Sequence, residues 1–124
     1  MVRLLDYVYI FATILFTVYG QLILKWRISR FGALPEDMVG KIKFIAILFM
    51  DPGIVSGFFA GFLASITWMA AMSKFDLSHA YPFMSLNFVV VLILGVWILN
   101  EPMTVQKMLG VFLIVLGTVV AARG

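Results

Sequence analysis

LSHAYPFMSLNFVVVLILGVWILN, Leu77 to Asn100, runs its whole length without an Asp, Glu, Lys or Arg. A hydrocarbon core of about 30 Å takes about 20 helical residues to cross, so this stretch reads as a membrane span. Two more charge-free stretches of comparable length precede it, Tyr7 to Leu24 and Pro52 to Ser73. After it, Pro102 to Ala122 is interrupted only by Lys107, one turn inside its start, where a long side chain snorkels to the headgroups. Composition points the same way. Of 124 residues, 64% are apolar and 12% charged, with a mean hydropathy of +1.11, against about 45 to 50% apolar and about 25% charged in soluble domains.

Four spans of about 20 residues use about 80 positions and leave no room for a soluble domain. The expected architecture is an all-α integral membrane domain over 1–124. It is an antiparallel bundle with spans near 4–26, 52–72, 79–100 and 102–122, and an amphipathic interfacial helix near 35–50 between the first two. Leu34-Pro35-Glu36-Asp37 marks the start of that helix, and Asp51-Pro52-Gly53 breaks it and opens the second span. Arg3 before an apolar run imitates a signal peptide. Asp6 interrupts it and no small-x-small cleavage site precedes Lys25, so the first span reads as retained.

Several function classes drop out. Zero cysteines exclude disulfides, thiolate metal sites and cysteine nucleophiles, and a single histidine excludes an imidazole cluster within one chain. No metal and no cofactor are expected. The net charge of +3 sits in short loops beside apolar spans, so it reads as a topology signal and nucleic acid is not an expected partner. Arg3, Lys74 and Arg123 fall on one face and Lys25, Arg27, Arg30, Lys41, Lys43 and Lys107 on the other. The positive-inside rule places the six in the cytoplasm and both termini outside.

The polar residues inside the spans carry the functional signal. At about 100° per residue, Thr13, Thr17, Gly20 and Gln21 share a sector of about 80°, and Lys25 continues the ladder one turn below Gln21. Such a stripe faces protein or water. It reads equally as interhelical hydrogen bonding with a snorkelling lysine or as a substrate path ending in a cation. In the second span Gly57, Ala60, Gly61, Ala64 and Ala71 form a small-residue ridge for close helix packing, with Ser65, Thr67 and Trp68 as weaker pocket candidates. In the third, Tyr81 and Ser85 share a face while Asn87 points about 200° from Ser85, so this span needs protein or a cavity on two sides. His79 reads as an interfacial residue. Glu101 before Pro102 reads either as the charged start of the fourth helix or as a gate or ion-pair partner. The fourth span, with Gly110 and Gly117 around an apolar run, reads as an assembly surface.

Ser78-His-Ala-Tyr-Pro-Phe-Met-Ser-Leu-Asn-Phe88, Asn100-Glu-Pro102 and Gly110-Val-Phe-Leu-Ile-Val-Leu-Gly117 resemble the second half of EamA-like members of the drug/metabolite transporter superfamily. Gly20-Gln-Leu-x-x-Lys25 in the first span is similar too. Within the superfamily, length and the Ala80-Tyr-Pro-x-x-Ser-Leu-Asn-Phe88 run most resemble the small subunits of the aminoarabinose-phosphoundecaprenol flippase. More distantly the chain resembles the small multidrug resistance exporters. Aligned on Gly20 and Lys25, it carries Thr17 where those exporters have a membrane-embedded glutamate, and a neutral hydroxyl cannot exchange protons for cationic drugs.

The resemblance implies a multi-pass transporter subunit of the bacterial inner membrane, not an enzyme. It would flip an undecaprenyl-phosphate-linked sugar among membrane lipids, as a homodimer or as a heterodimer with a similar small subunit. The candidate substrate-binding set, taken from the polar residues above, is Lys25, Thr17, Gln21, Tyr81, Ser85, Asn87 and Glu101. The rivals are a small exporter of cationic drugs or metabolites, and a non-transporting accessory subunit of a membrane glycosyltransferase.

Overall fold

Hydrocarbon offers no water to the backbone, so each apolar stretch must close its N–H and C=O bonds within itself. The computed structural model, which describes residues 4–124, does so in six helices. These are α1 (Tyr7–Phe31, entered through a 3₁₀ turn at Leu4–Asp6), α2 (Met38–Phe49), α3 (Pro52–Met72), α4 (Leu77–Met84), α5 (Leu86–Ile98) and α6 (Val105–Arg123). Four segments are long and apolar enough to cross a membrane: Leu4–Phe31, Pro52–Met72, Leu77–Ile98 and Val105–Arg123. The chain is therefore an all-α bundle of four membrane-crossing segments. Arg3, one of the charges counted on the less basic face, lies outside the described residues.

α1 is the axle. Thr13, Gly20 and Arg27 recur at heptad spacing and so stay on nearly one line of the helix, each meeting α3 or the residues just before it. At one end Thr13, 2% exposed, has its hydroxyl 2.7 Å from that of Thr67. In the middle a Cβ on Gly20 would stand 3.1 Å from the Gly57 carbonyl oxygen, so the two backbones nearly touch. At the other end the Arg27 fork grips Asp51, Nε to Oδ2 at 2.9 Å and Nη2 to Oδ1 at 2.6 Å. The arginine stem lies on Gly53, where a Cβ would fall 2.6 Å from Arg27 Cγ. Small residues permit this approach in a medium that supplies no hydrophobic drive between helices. Ala60, Ala64 and Ala71 of the α3 ridge are buried, whereas Gly61 is exposed with nothing near its Cβ direction. The core beside this axle is Ile10, Ile14, Val18, Ala71, Phe75 and Ala80.

Asp51 has two jobs. Besides binding Arg27 it caps α3, its Oδ2 accepting the Ile54 N–H at 3.1 Å. The hydrogen bonds from Arg27 hold its carboxyl below the ordinary aspartate value; burial opposes this, and the Ile54 and Gly53 amides reinforce it. A carboxyl depressed in the folded state contributes stability that is complete above its unfolded value and is lost as pH falls through the folded one. The thermal midpoint in detergent should therefore fall as pH drops below about 4. Asp51→Asn should start lower at neutral pH and show a flatter acid limb; parallel limbs would exclude this pair as the source.

Four boundaries differ from the sequence reading. α1 continues through Arg27 to Phe31, past the expected end at Trp26, until Gly32 at φ +92° stops it. α2 begins at Met38, because Asp37 is the N-cap, accepting the Gly40 N–H at 2.8 Å, and Pro35 stays ahead of it. The third span is not one helix. Pro82 has no N–H to bond its preceding turn, and around Ser85 the bonding tightens to Ser85 N to Pro82 O and Phe88 N to Ser85 O, splitting the span into α4 and α5. Finally, Glu101 does not start the fourth helix. Thr104 does, its hydroxyl accepting the Lys107 N–H at 3.2 Å, so α6 begins at Val105. Glu101 belongs to the end of α5 instead, after Asn100 at φ +57°; its N–H donates to Gly95 O at 3.3 Å.

α6 is tied to the rest by a buried polar contact. Thr118, 6% exposed, has its hydroxyl 3.0 Å from Ser85 Oγ and 3.3 Å from Pro82 O. The remaining face of α6 is bare: Phe112, Leu113, Leu116 and Val120 are exposed, and nothing stands near the Cβ directions of Gly110 and Gly117. α2 leans on α3 through buried Leu48 and the stacked rings of Phe49 and Phe58, 5.0 Å apart.

Candidate functional site

Because α3 and α4–α5 both lean on α1 while barely meeting each other, they diverge from it and leave a cavity of about 1200 Å³ between them. α1 contributes Thr17 and Gln21, from the polar stripe adjoining its contact line with α3. α3 contributes Gly61, Ser65 and Trp68; α4 and α5, with the break between them, contribute Tyr81, Ser85 and Asn87. Phe58, Tyr81 and Phe88, which line it, are all exposed, so the cavity is open at the surface of helices long and apolar enough to cross a membrane. The Trp68 and Tyr81 rings meet edge-on at 6.0 Å and brace one wall.

Five of the seven residues singled out from the sequence meet here: Thr17, Gln21, Tyr81, Ser85 and Asn87. That Asn87 joins Tyr81 and Ser85 is a correction. The expectation that it faces away from Ser85 treats the span as an ideal unbroken helix; the helix is interrupted at Ser85, and all three residues line one cavity. Lys25 and Glu101 are not among the lining residues. Lys25 follows Leu24, which is, and stands exposed one turn beyond Gln21, without a hydrogen bond or ion pair among the described residues. Beside it, Arg27 and Arg30 lie on the Trp26 ring, 5.2 and 4.7 Å from its centre, an interfacial arrangement of aromatic and cation. Glu101 packs over α5, where a Cβ on Gly95 would fall 2.7 Å from its Oε1.

Several hydroxyls around the cavity are already engaged. Ser85 donates to Pro82 O and pairs with Thr118, Ser65 donates to Gly61 O at 3.1 Å, and Thr13 pairs with Thr67. Sequence reasoning missed Thr118; its i to i−4 bond to Ile114 is a local feature that any threonine in a helix can show. Among the described residues, no acidic or basic side chain lines the cavity. The wall can therefore orient a polar group by neutral hydrogen bonds but cannot exchange a proton with it at neutral pH.

A smaller cavity of about 480 Å³ lies at the opposite end, lined by Lys74, Phe75, Asp76, Ser78 and His79. His79, expected at the interface, shares a hydrogen bond of 2.9 Å with the Tyr7 hydroxyl and stacks on Phe75, tying α4 to the start of α1.

The sequence profile described as the EamA-like transporter family matches residues 2–123. A probable 4-amino-4-deoxy-L-arabinose-phosphoundecaprenol flippase subunit ArnF of Shewanella sediminis is 31% identical over 86% of this chain and 80% of its own. The corresponding ArnE subunit of Serratia proteamaculans is 30% identical over 92% of each chain. An ArnF subunit of Erwinia tasmaniensis is 34% identical over 79% of each. No solved structure matches the chain.

Proposed function

The chain belongs to the EamA-like transporter family, and from that premise we propose that it is one subunit of a flippase for an isoprenoid-phosphate-linked sugar. It is a multi-pass transporter of the inner membrane and not an enzyme. The cargo we assign is of the kind named for its relatives, an undecaprenyl-phosphate-linked aminoarabinose.

The observation that supports this reading is a largely apolar cavity, open at the surface of the membrane-crossing helices, whose polar groups are all neutral. A lipid-linked sugar needs both features: hydroxyl and amide groups for the sugar, and a lateral opening through which the isoprenoid tail remains in lipid. Thr17, Gln21, Tyr81, Ser85 and Asn87 form the sugar wall, Lys25 meets the phosphate at the interface, and Glu101 steadies the end of α5. One chain encloses only one side of such a cargo. The second side comes from another copy or a related small subunit, docked on the bare face of α6. α2 lies in the interface, and the six-cation face is cytoplasmic.

Lipid extracted from gently purified protein and identified by mass spectrometry tests the assignment. An isoprenoid-phosphate-linked sugar enriched over bulk phospholipid is the expected result; bulk phospholipid alone would count against it.

A further inference from the structure

A phosphate crossing the bilayer needs a compensating charge, because an isolated ion at the membrane centre is costly. This cavity supplies none: among the described residues its wall holds no lysine, arginine or histidine, and the nearest cation on its stripe, Lys25, stands outside it. The same wall holds no carboxylate. A headgroup that is neutral overall fits such a wall, with a phosphate monoanion balanced by an ammonium on the sugar itself. A headgroup of net negative charge does not.

The wall also has a place for the ammonium. Among the described residues, Asn87 Oδ1 is the buried side-chain polar atom without a hydrogen-bond partner. Buried acceptors in native structures are nearly always paired, so an orphan one asks for a donor. Asn87 stands on the cavity wall with that oxygen turned inward, and a half-turn about its broad terminal torsion exchanges it with the amide nitrogen and offers it to the cavity. The same wall carries the aromatic rings of Trp68, Tyr81 and Phe88, a residue type that attracts cations.

We infer that the cavity sorts cargo by the net charge of its headgroup, and that Asn87 is the residue that receives the ammonium. This rests on the reading of the cavity as the path of a lipid-linked sugar. It assigns the balancing cation to the cargo, so the partner subunit has no charge to supply at mid-membrane.

The test is binding by the full-length chain in phosphatidylcholine nanodiscs, read by native mass spectrometry with two probes. One is phosphoundecaprenol carrying 4-amino-4-deoxyarabinose; the other is the same lipid with a hydroxyl in place of the amine. A charge-assisted hydrogen bond against a neutral one predicts that the amino lipid binds about tenfold more tightly. Asn87→Leu should bring that ratio close to one. Gln21→Lys, which puts a cation on the wall from an exposed position of α1, should invert the preference, and it decides the matter if Asn87→Leu fails to fold. Equal binding of both lipids by the unaltered protein overturns this inference and leaves the proposed function standing. So does a tenfold ratio that survives in either variant. No binding of either lipid overturns both.

Discussion

Lys25→Ala should abolish flipping of a lipid-linked sugar phosphate in proteoliposomes while the protein remains folded and monodisperse. The lysine is exposed, unpaired among the described residues and one turn beyond the cavity-lining Gln21, so nothing in the fold depends on it. Its proposed contribution is to the cargo: a point cation near the interface would hold an anionic phosphate while the isoprenoid tail stays in the bilayer. Lys25→Arg keeps the charge on a different head and should retain part of the activity. Thr17→Val removes a neutral hydrogen bond worth about 1 kcal/mol and should cost about fivefold. If the cargo were a cationic drug, Lys25 would repel it and its loss would be neutral or favourable. Flipping unchanged by Lys25→Ala would therefore count against an anionic phosphate at this end.

Gly57→Leu should be the most damaging apolar substitution in the chain. A Cβ there would stand 2.9 Å from Ile23 Cγ2, 3.3 Å from Leu24 Cγ and 3.4 Å from the Gly20 carbonyl oxygen, so a leucine is crowded from its first carbon. α1 and α3 would have to part, loosening the Thr13–Thr67 and Arg27–Asp51 contacts on either side, at a cost of about 3 kcal/mol. Size-exclusion chromatography of detergent extracts should show the folded peak lost. Gly61→Ala is the matched control: no atom lies within 4 Å of its Cβ position, so it should fold as the unaltered protein does. A normal folded peak for Gly57→Leu would mean that the crossing is not where the helices are held.

The spans are legible in the sequence because hydrocarbon excludes charge, and the chain obeys that rule over long runs. The α1 stripe is legible because helical periodicity holds along an unbroken helix. Asn87 falls on the wrong face when that same periodicity is carried across Ser85, where the helix breaks. Glu101 is a reasonable helix start, but Thr104, a little further on, supplies the better cap, a competition between neighbours that local rules rank poorly. Thr118 with Ser85 and Tyr7 with His79 join residues 33 and 72 positions apart, and a single sequence contains no signal of such pairings.

The ion pair between α1 and the start of α3 bears on how the chain is made. Arg27 and Asp51 are 24 positions apart, so the arginine leaves the ribosome first, and at about 5 to 20 residues per second its partner follows about 1 to 5 s later. During that wait α1 is a lone hairpin arm with an unanswered guanidinium, which the phosphates of the headgroup layer can hold at the correct depth. Once Asp51 and the residues of α3 behind it have been made, the same carboxylate takes the guanidinium over and caps the new helix. The side chain that starts the second membrane helix is thus the one that seats it on the first, so the helix begins at the place where it docks.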